Sequence, residues 1–255
     1  MRRPLKIIYA ALVYLFLYLP LGVMVVYSFN ASRFSMQWKG FTLHWYDQLI
    51  HDGSLIQAAL HSLAIAAVSA TAACLIGTVT ALAIQRWRFV GRKSIHAVLF
   101  VMMMSPDIVI GISLLVLFMA LALPLGFWTL FMAHVTLCVP FVAITVHARL
   151  QGFDPHLVEA ARDLGAGEYE VWRHIVLPMT MPAVLAGWFM SFTLSLDDVI
   201  IAFFTTGPTF EVLPLRIYSM VRLGLKPEIN ALCAVMILIT AVAVVTTQGL
   251  LKERK

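Results

Sequence analysis

"RLQGFDPHLVEAARDLGAGEYEVWRHIVLP", Arg149–Pro178, is a charged island in an otherwise apolar chain. Asp154 can cap a helix, with Pro155 at its first position, where a missing N–H costs nothing. Leu157, Ala160, Ala161 and Leu164 then fall on one apolar stripe at helical spacing. Gly165 can end that helix in a left-handed cap. A second short helix follows, with Val171 and Ile175 on its apolar side, and Pro178 is expected to stop it. The stretch reads as a helix-turn-helix lying on a membrane surface. Its alanines allow another surface to approach closely.

The flanking sequence supplies the membrane. The chain has 255 residues, of which 61% are hydrophobic and 12% charged. That is too apolar for a soluble domain of this size, and the apolar blocks are long enough to cross a bilayer, which takes about 20 residues. The expectation is an all-α integral membrane protein with one domain and six spans, at about 7–28, 58–84, 95–123, 127–148, 181–206 and 229–251, joined between spans four and five by the loop 149–180. The first apolar block is too long for a signal-peptide core, and no A-x-A cleavage pattern follows it. Cys74, Cys138 and Cys233 lie within apolar blocks without metal spacing and read as small core residues.

Basic residues set the orientation. With the N-terminus in the cytoplasm, the inner segments hold Arg2, Arg3, Lys6, Arg86, Arg88, Arg92, Lys93, Arg149, Arg162, Arg173, Lys252, Arg254 and Lys255. The outer segments hold only Arg33, Lys39, Arg216, Arg222 and Lys226. The positive-inside rule therefore favours both termini in the cytoplasm. The outer loop 29–57 is aromatic: Trp38, Trp45 and Tyr46 fit an interfacial belt, or alternatively meet a periplasmic protein or an incoming solute. "NAS" at 30–32 matches a glycosylation sequon, a motif too short to carry weight.

"EAARDLG" followed by "IVLP" closely resembles the EAA loop of ABC importer permeases, with Glu159, Ala160, Ala161, Gly165, Ile175, Leu177 and Pro178 in register. Further stretches, "SFNASRF" (28–34), "MMSPDIVIGISLLVLF" (103–118), "SFTLSLDDV" (191–199) and "LKPEINAL" (225–232), resemble the spermidine/putrescine importer permeases of that family. The resemblance implies a type I importer permease fold in a bacterial inner membrane. It also implies a coupling helix at the EAA loop that docks on a separate ATPase, with Glu168 facing water or that ATPase. The implied partners are a second, related permease, two copies of the ATPase, a periplasmic polyamine-binding protein and membrane lipid; no nucleic acid is expected. No phosphate-binding GxxxxGK[ST] is present, the nearest text being "GRKS" at 91–94. ATP and Mg are therefore expected on the partner. This chain is expected to bind no cofactor or metal and to catalyse no reaction.

Three acids sit inside expected spans. Each costs about 2.5–3.5 kcal/mol at a span centre on the insertion scale. Ser105, Pro106 and Asp107 read as a fresh helix start, with cap, first position and an acid at the positive dipole end. Broken helices at mid-membrane also line substrate sites, and the two readings are compatible. Asp197 and Asp198 point about 100° apart on an unbroken helix. Asp198 then shares a stripe with Ser191 and Ser195, the face expected to line a wet path. No Lys or Arg falls in the central parts of the six spans; His134 is the one near-central basic side chain, read as a packing or hydrogen-bonding residue. Acids without internal cations suit a cationic substrate, and polyamines carry several ammonium groups. Asp107, Asp197, Asp198, Ser195, Ser191 and Trp45 are therefore expected on the substrate path. Asp198 is the first choice for meeting the cation, and Asp197 the acid most readily given to a structural role.

Rival readings are an importer for another small cationic solute and an ion-gradient-driven transporter, in which the EAA loop would have no task. "GISL" at 111–114 resembles the serine motif of rhomboid proteases, but span six holds no His to serve as its base.

Overall fold

The computed structural model describes residues 3–32, 37–152, 154, 156–222 and 227–238. Among them everything is helix or loop apart from one isolated bridge, Asn30 to Phe41. The chain divides into two units, 1–57 with 216–255, and 58–215.

In the first unit, helix α1 (Arg3–Tyr27) is apolar all round and exposed along its length. The chain then turns back through a small hairpin centred on Asn30. The Asn30 side chain is fully buried; its Nδ2 donates to Gln37 O at 2.8 Å, and its Oδ1 accepts from Lys39 N at 2.9 Å and Ser32 N at 3.2 Å. With both amide atoms committed, the sequon at 30–32 is a structural hinge. Helix α2 (His44–His51) follows. At its end Asp52 caps α3 (Gly53–Arg86), accepting from Ser54 N at 2.9 Å, Leu55 N at 3.2 Å and Ser54 Oγ at 2.7 Å. Those bonds, the Ser54 hydroxyl first, hold the Asp52 carboxyl below the ordinary Asp range despite partial burial.

The second unit is built around α6 (Phe127–Gln151), which packs along α9 (Leu177–Asp197), α4 (Arg92–Met104) and α10 (Ile200–Thr205). Small residues make this closeness possible. Ala66, Ala70, Ala73, Gly77 and Ala81 form a buried or crowded stripe on α3, and a Cβ added at Gly77 would stand 2.7 Å from Val142 Cβ of α6. In lipid, where burial of apolar surface supplies no drive, such close backbone approach carries the packing.

Four helices are long and apolar enough to cross a bilayer: Leu5–Tyr27, Gly53–Arg86, Phe127–Gln151 and Glu168–Asp197. A fifth crossing is present if α4 and α5 (Asp107–Ala120), bent by 111° at their junction, count as one span. Helix α11 (Leu213–Arg222) precedes the expected sixth span in the chain; of that span, helix α12 (Pro227–Leu238) is described, and the remainder lies outside the described residues.

The expected spans differ from the structure at three places. Ser105, expected to cap α5, does not: its Oγ donates back to Val101 O at 2.8 Å, and Pro106 occupies the cap position. Pro178 does not stop a helix. A short helix α8 (Glu168–Val171) runs through a π-helical turn, Trp172–Val176, directly into α9. The wider turn absorbs the N–H that Pro178 lacks, with Leu177 N bonding to Trp172 O. Finally, the span expected at 181–206 is broken, since α9 ends at Asp197 and α10 begins at Ile200.

Candidate functional site

The break at Asp198 is the centre of the site. Asp198 is extended (φ −66°, ψ 127°), and its carboxylate accepts Ile201 N at 3.2 Å and Ala202 N at 2.7 Å, the first free donors of α10. Its Oδ2 also lies 3.5 Å from His134 Nε2 of α6, with the two side chains 6% and 1% exposed. The other ring nitrogen, Nδ1, lies 2.6 Å from Ser195 Oγ. Ser191, one turn earlier, is buried beside Cys138, whose thiol donates to the Ser191 carbonyl at 3.5 Å.

The single stripe expected for Ser191, Ser195 and Asp198 assumed an unbroken helix. The two serines do share a buried face of α9, but that face meets α6, and Asp198 turns inward with it as a capping group. Asp198 is thus engaged on both oxygens within the chain. His134, expected as a packing or hydrogen-bonding residue, is buried and hydrogen-bonded to Ser195.

Asp197 behaves differently. It is exposed, and both Asp198 and Asp107 lie close enough to act on it electrostatically. Asp107 is exposed at the start of α5, and α5 packs along α10. The two helix breaks are therefore neighbours, each presenting one carboxylate. Among the described residues neither carboxylate has an ion-pair partner. Trp45, expected on the same path, belongs to the first unit. It is 8% exposed, and its indole N–H donates to Asn30 O at 2.8 Å, so the structure employs it in holding the hairpin.

The charged loop forms a second site. Helix α7 (His156–Asp163) has no buried residue. Its start is fixed by Asp154 Oδ1, which accepts His156 N at 3.0 Å; Pro155 lies outside the described residues. At its end Gly165 adopts φ +89°, with Gly165 N bonded to Arg162 O at 2.9 Å and Ala166 N to Ala161 O at 3.0 Å. This paired arrangement is a Schellman cap, and the left-handed residue in it favours glycine. Leu157, Ala160 and Leu164 stand exposed, and Ala161 is half-buried. Glu159 pairs with His156 Nδ1 at 3.2 Å. Glu168, expected to face water or a partner, is exposed and pairs with Arg86 at the end of α3 and Arg162 of α7, the latter at 2.5 Å. Ile175 lies in the π-helical turn, and Leu177 and Pro178 open α9. Between α7 and the helix ends is a cavity of about 440 Å³, lined among others by Leu82, Leu150, Val158, Arg162 and Val176.

A family model described as "Binding-protein-dependent transport system inner membrane component" matches residues 73–254. The chain is 52% identical over 242 residues to the spermidine/putrescine transport system permease protein PotC of Escherichia coli (strain K12), covering 95% of this chain and 92% of that one. It is 42% identical over 244 residues to the putrescine transport system permease protein PotI of the same strain, covering 92% and 86%. A solved bacterial ABC transporter involved in the import of the acidic polysaccharide alginate superposes with a TM-score of 0.72 at 15% identity, covering 98% of this chain and 94% of that one. This last likeness bears on the fold alone.

Proposed function

We propose that this chain, which belongs to the family of binding-protein-dependent transport system inner membrane components, is the permease subunit of an ATP-driven importer for polyamines. Its similarity along nearly its whole length to spermidine/putrescine and putrescine permeases supports the substrate class. The observation that carries the mechanism is the pair of exposed carboxylates, Asp107 and Asp197, at two adjoining helix breaks. A polyamine brings ammonium groups spaced along an apolar chain, and it supplies the positive charge these acids lack. Asp198, with Ser195 and Ser191 behind it, shapes the break.

The remaining parts follow from this reading. Six helices cross the inner membrane, the last through α12, with both termini in the cytoplasm. A second, related permease completes the path, and two ATPase subunits carry ATP and Mg; a periplasmic binding protein delivers the polyamine. Helix α7 and the segment to Pro178 form the coupling element. Its exposed apolar residues, Leu157, Ala160 and Leu164, suit a surface completed by another chain.

The test is polyamine uptake in the assembled importer, with complex yield and ATPase activity measured in parallel. Asp107→Asn and Asp197→Asn are expected to cut uptake with assembly intact, whereas Asp198→Asn lowers assembly itself. Normal uptake by both of the first two variants would sink the carboxylate mechanism.

A further inference from the structure

Nothing in the backbone of 197–199 obliges the chain to break there: the residues are Asp, Asp and Val, with no proline or glycine among them. The break needs another cause, and His134 stands beside it. Its imidazole reaches Ser195 Oγ at 2.6 Å, before the break, and Asp198 Oδ2 at 3.5 Å, after it. These two contacts straddle Asp197. The Asp198 carboxylate, with beside it a His134 Nε2 otherwise without a hydrogen-bond partner among the described residues, meets the backbone donors of Ile201 and Ala202. Were Asp198 free to swing away, α9 and α10 could join through 198–199, and the break at which Asp197 is exposed beside Asp107 would close.

We propose that His134 is a positioning residue for transport. By standing between Ser195 and Asp198 it holds the break open and so keeps Asp197 exposed beside it. The inference rests on the reading of Asp197 as a carboxylate that meets the cationic substrate. It assigns His134 no contact with that substrate, since the imidazole is 1% exposed.

A thiol placed at the site reads this directly. Asp197→Cys is made in the full chain within the assembled importer, and its labelling by a cationic, membrane-impermeant methanethiosulfonate is measured above the background of the parent chain. Adding His134→Leu is expected to slow that labelling about tenfold, the scale on which small misplacements act in a site. The thiol introduced by Asp107→Cys, at the proline-made break, is expected to react at an unchanged rate. With Asp197 intact, His134→Leu lowers uptake per assembled complex at unchanged half-saturation, and His134→Gln, whose amide can bridge both partners, recovers part of it. Unchanged labelling at position 197, unchanged uptake per complex, or a His134→Gln variant as impaired as His134→Leu would overturn the proposal. Should His134→Leu not assemble, Ser195→Ala and His134→Gln carry the same labelling test, and unaltered rates in both overturn it. Altered labelling in an importer that takes up no polyamine would reject the transport reading while leaving the positioning role in place.

Discussion

Between Met104 and Asp107 the chain breaks at a proline; between Asp197 and Ile200 it breaks without one. At the first break the cause is covalent. Pro106 has no N–H, and the residue before it, Ser105, is driven to extended geometry at ψ 135°. Asp107 is then left exposed, with no bond to keep. At the second break the cause is a set of side-chain bonds, and one acid of the pair is consumed in making it. A helix can thus be interrupted by a residue that forbids continuation or by a neighbour that rewards interruption, and only the second kind depends on the rest of the fold.

Three perturbations probe that contrast. The largest effect is expected from Asp198→Leu, which leaves the buried N–H groups of Ile201 and Ala202 unpaired at about 1–3 kcal/mol each. Complex yield and thermal unfolding in detergent should both collapse; a variant as stable as the parent would show that the break does not need its carboxylate. A smaller effect is expected from Pro106→Ala. Spin labels on Ile95 and Leu117 should shift toward the straight-helix separation of about 33 Å, roughly twice that of the bent pair. A distance unmoved would mean that packing of α5 on α10, and not the proline, sets the 111° bend. The smallest belongs to Asp52, which makes the same kind of cap as Asp198 but near the surface. Asp52→Ala should cost about 1 kcal/mol. Because the folded carboxyl lies below its ordinary range, its contribution is present at neutral pH and lost as pH falls through the folded value. Acid unfolding of the parent should show this loss and that of the variant should not; equal acid sensitivity would remove Asp52 from the account.

What could be read from the chain alone was what local chemistry encodes. The Gly165 cap, the Asp154 start of α7 and the interruption at Pro106 all depend on residues within a turn of one another. The features that escaped depend on partners far along the chain. Nothing near Asp198 announces that His134 of another helix waits for it, and nothing near Trp45 announces the carbonyl of Asn30. Pro178 misled for a subtler reason. A proline at that position predicts an end, but the π-helical turn before it removes the conflict and lets the helix continue.

That continuity has a mechanical consequence. From Glu168 to Asp197 the chain is one uninterrupted helical rod of 30 residues, with the ion pairs of Glu168 at one end and the His134 bridge at the other. A tilt of about 5° pivoting at the π-helical turn displaces the far end, about 37 Å away, by roughly 3 Å. That exceeds the 2.6 Å separation of Ser195 Oγ and His134 Nδ1. Carried along such a rod, a movement at the charged loop too small to disturb the packing there would be large enough to open or close the Ser195–His134 hydrogen bond beside Asp197.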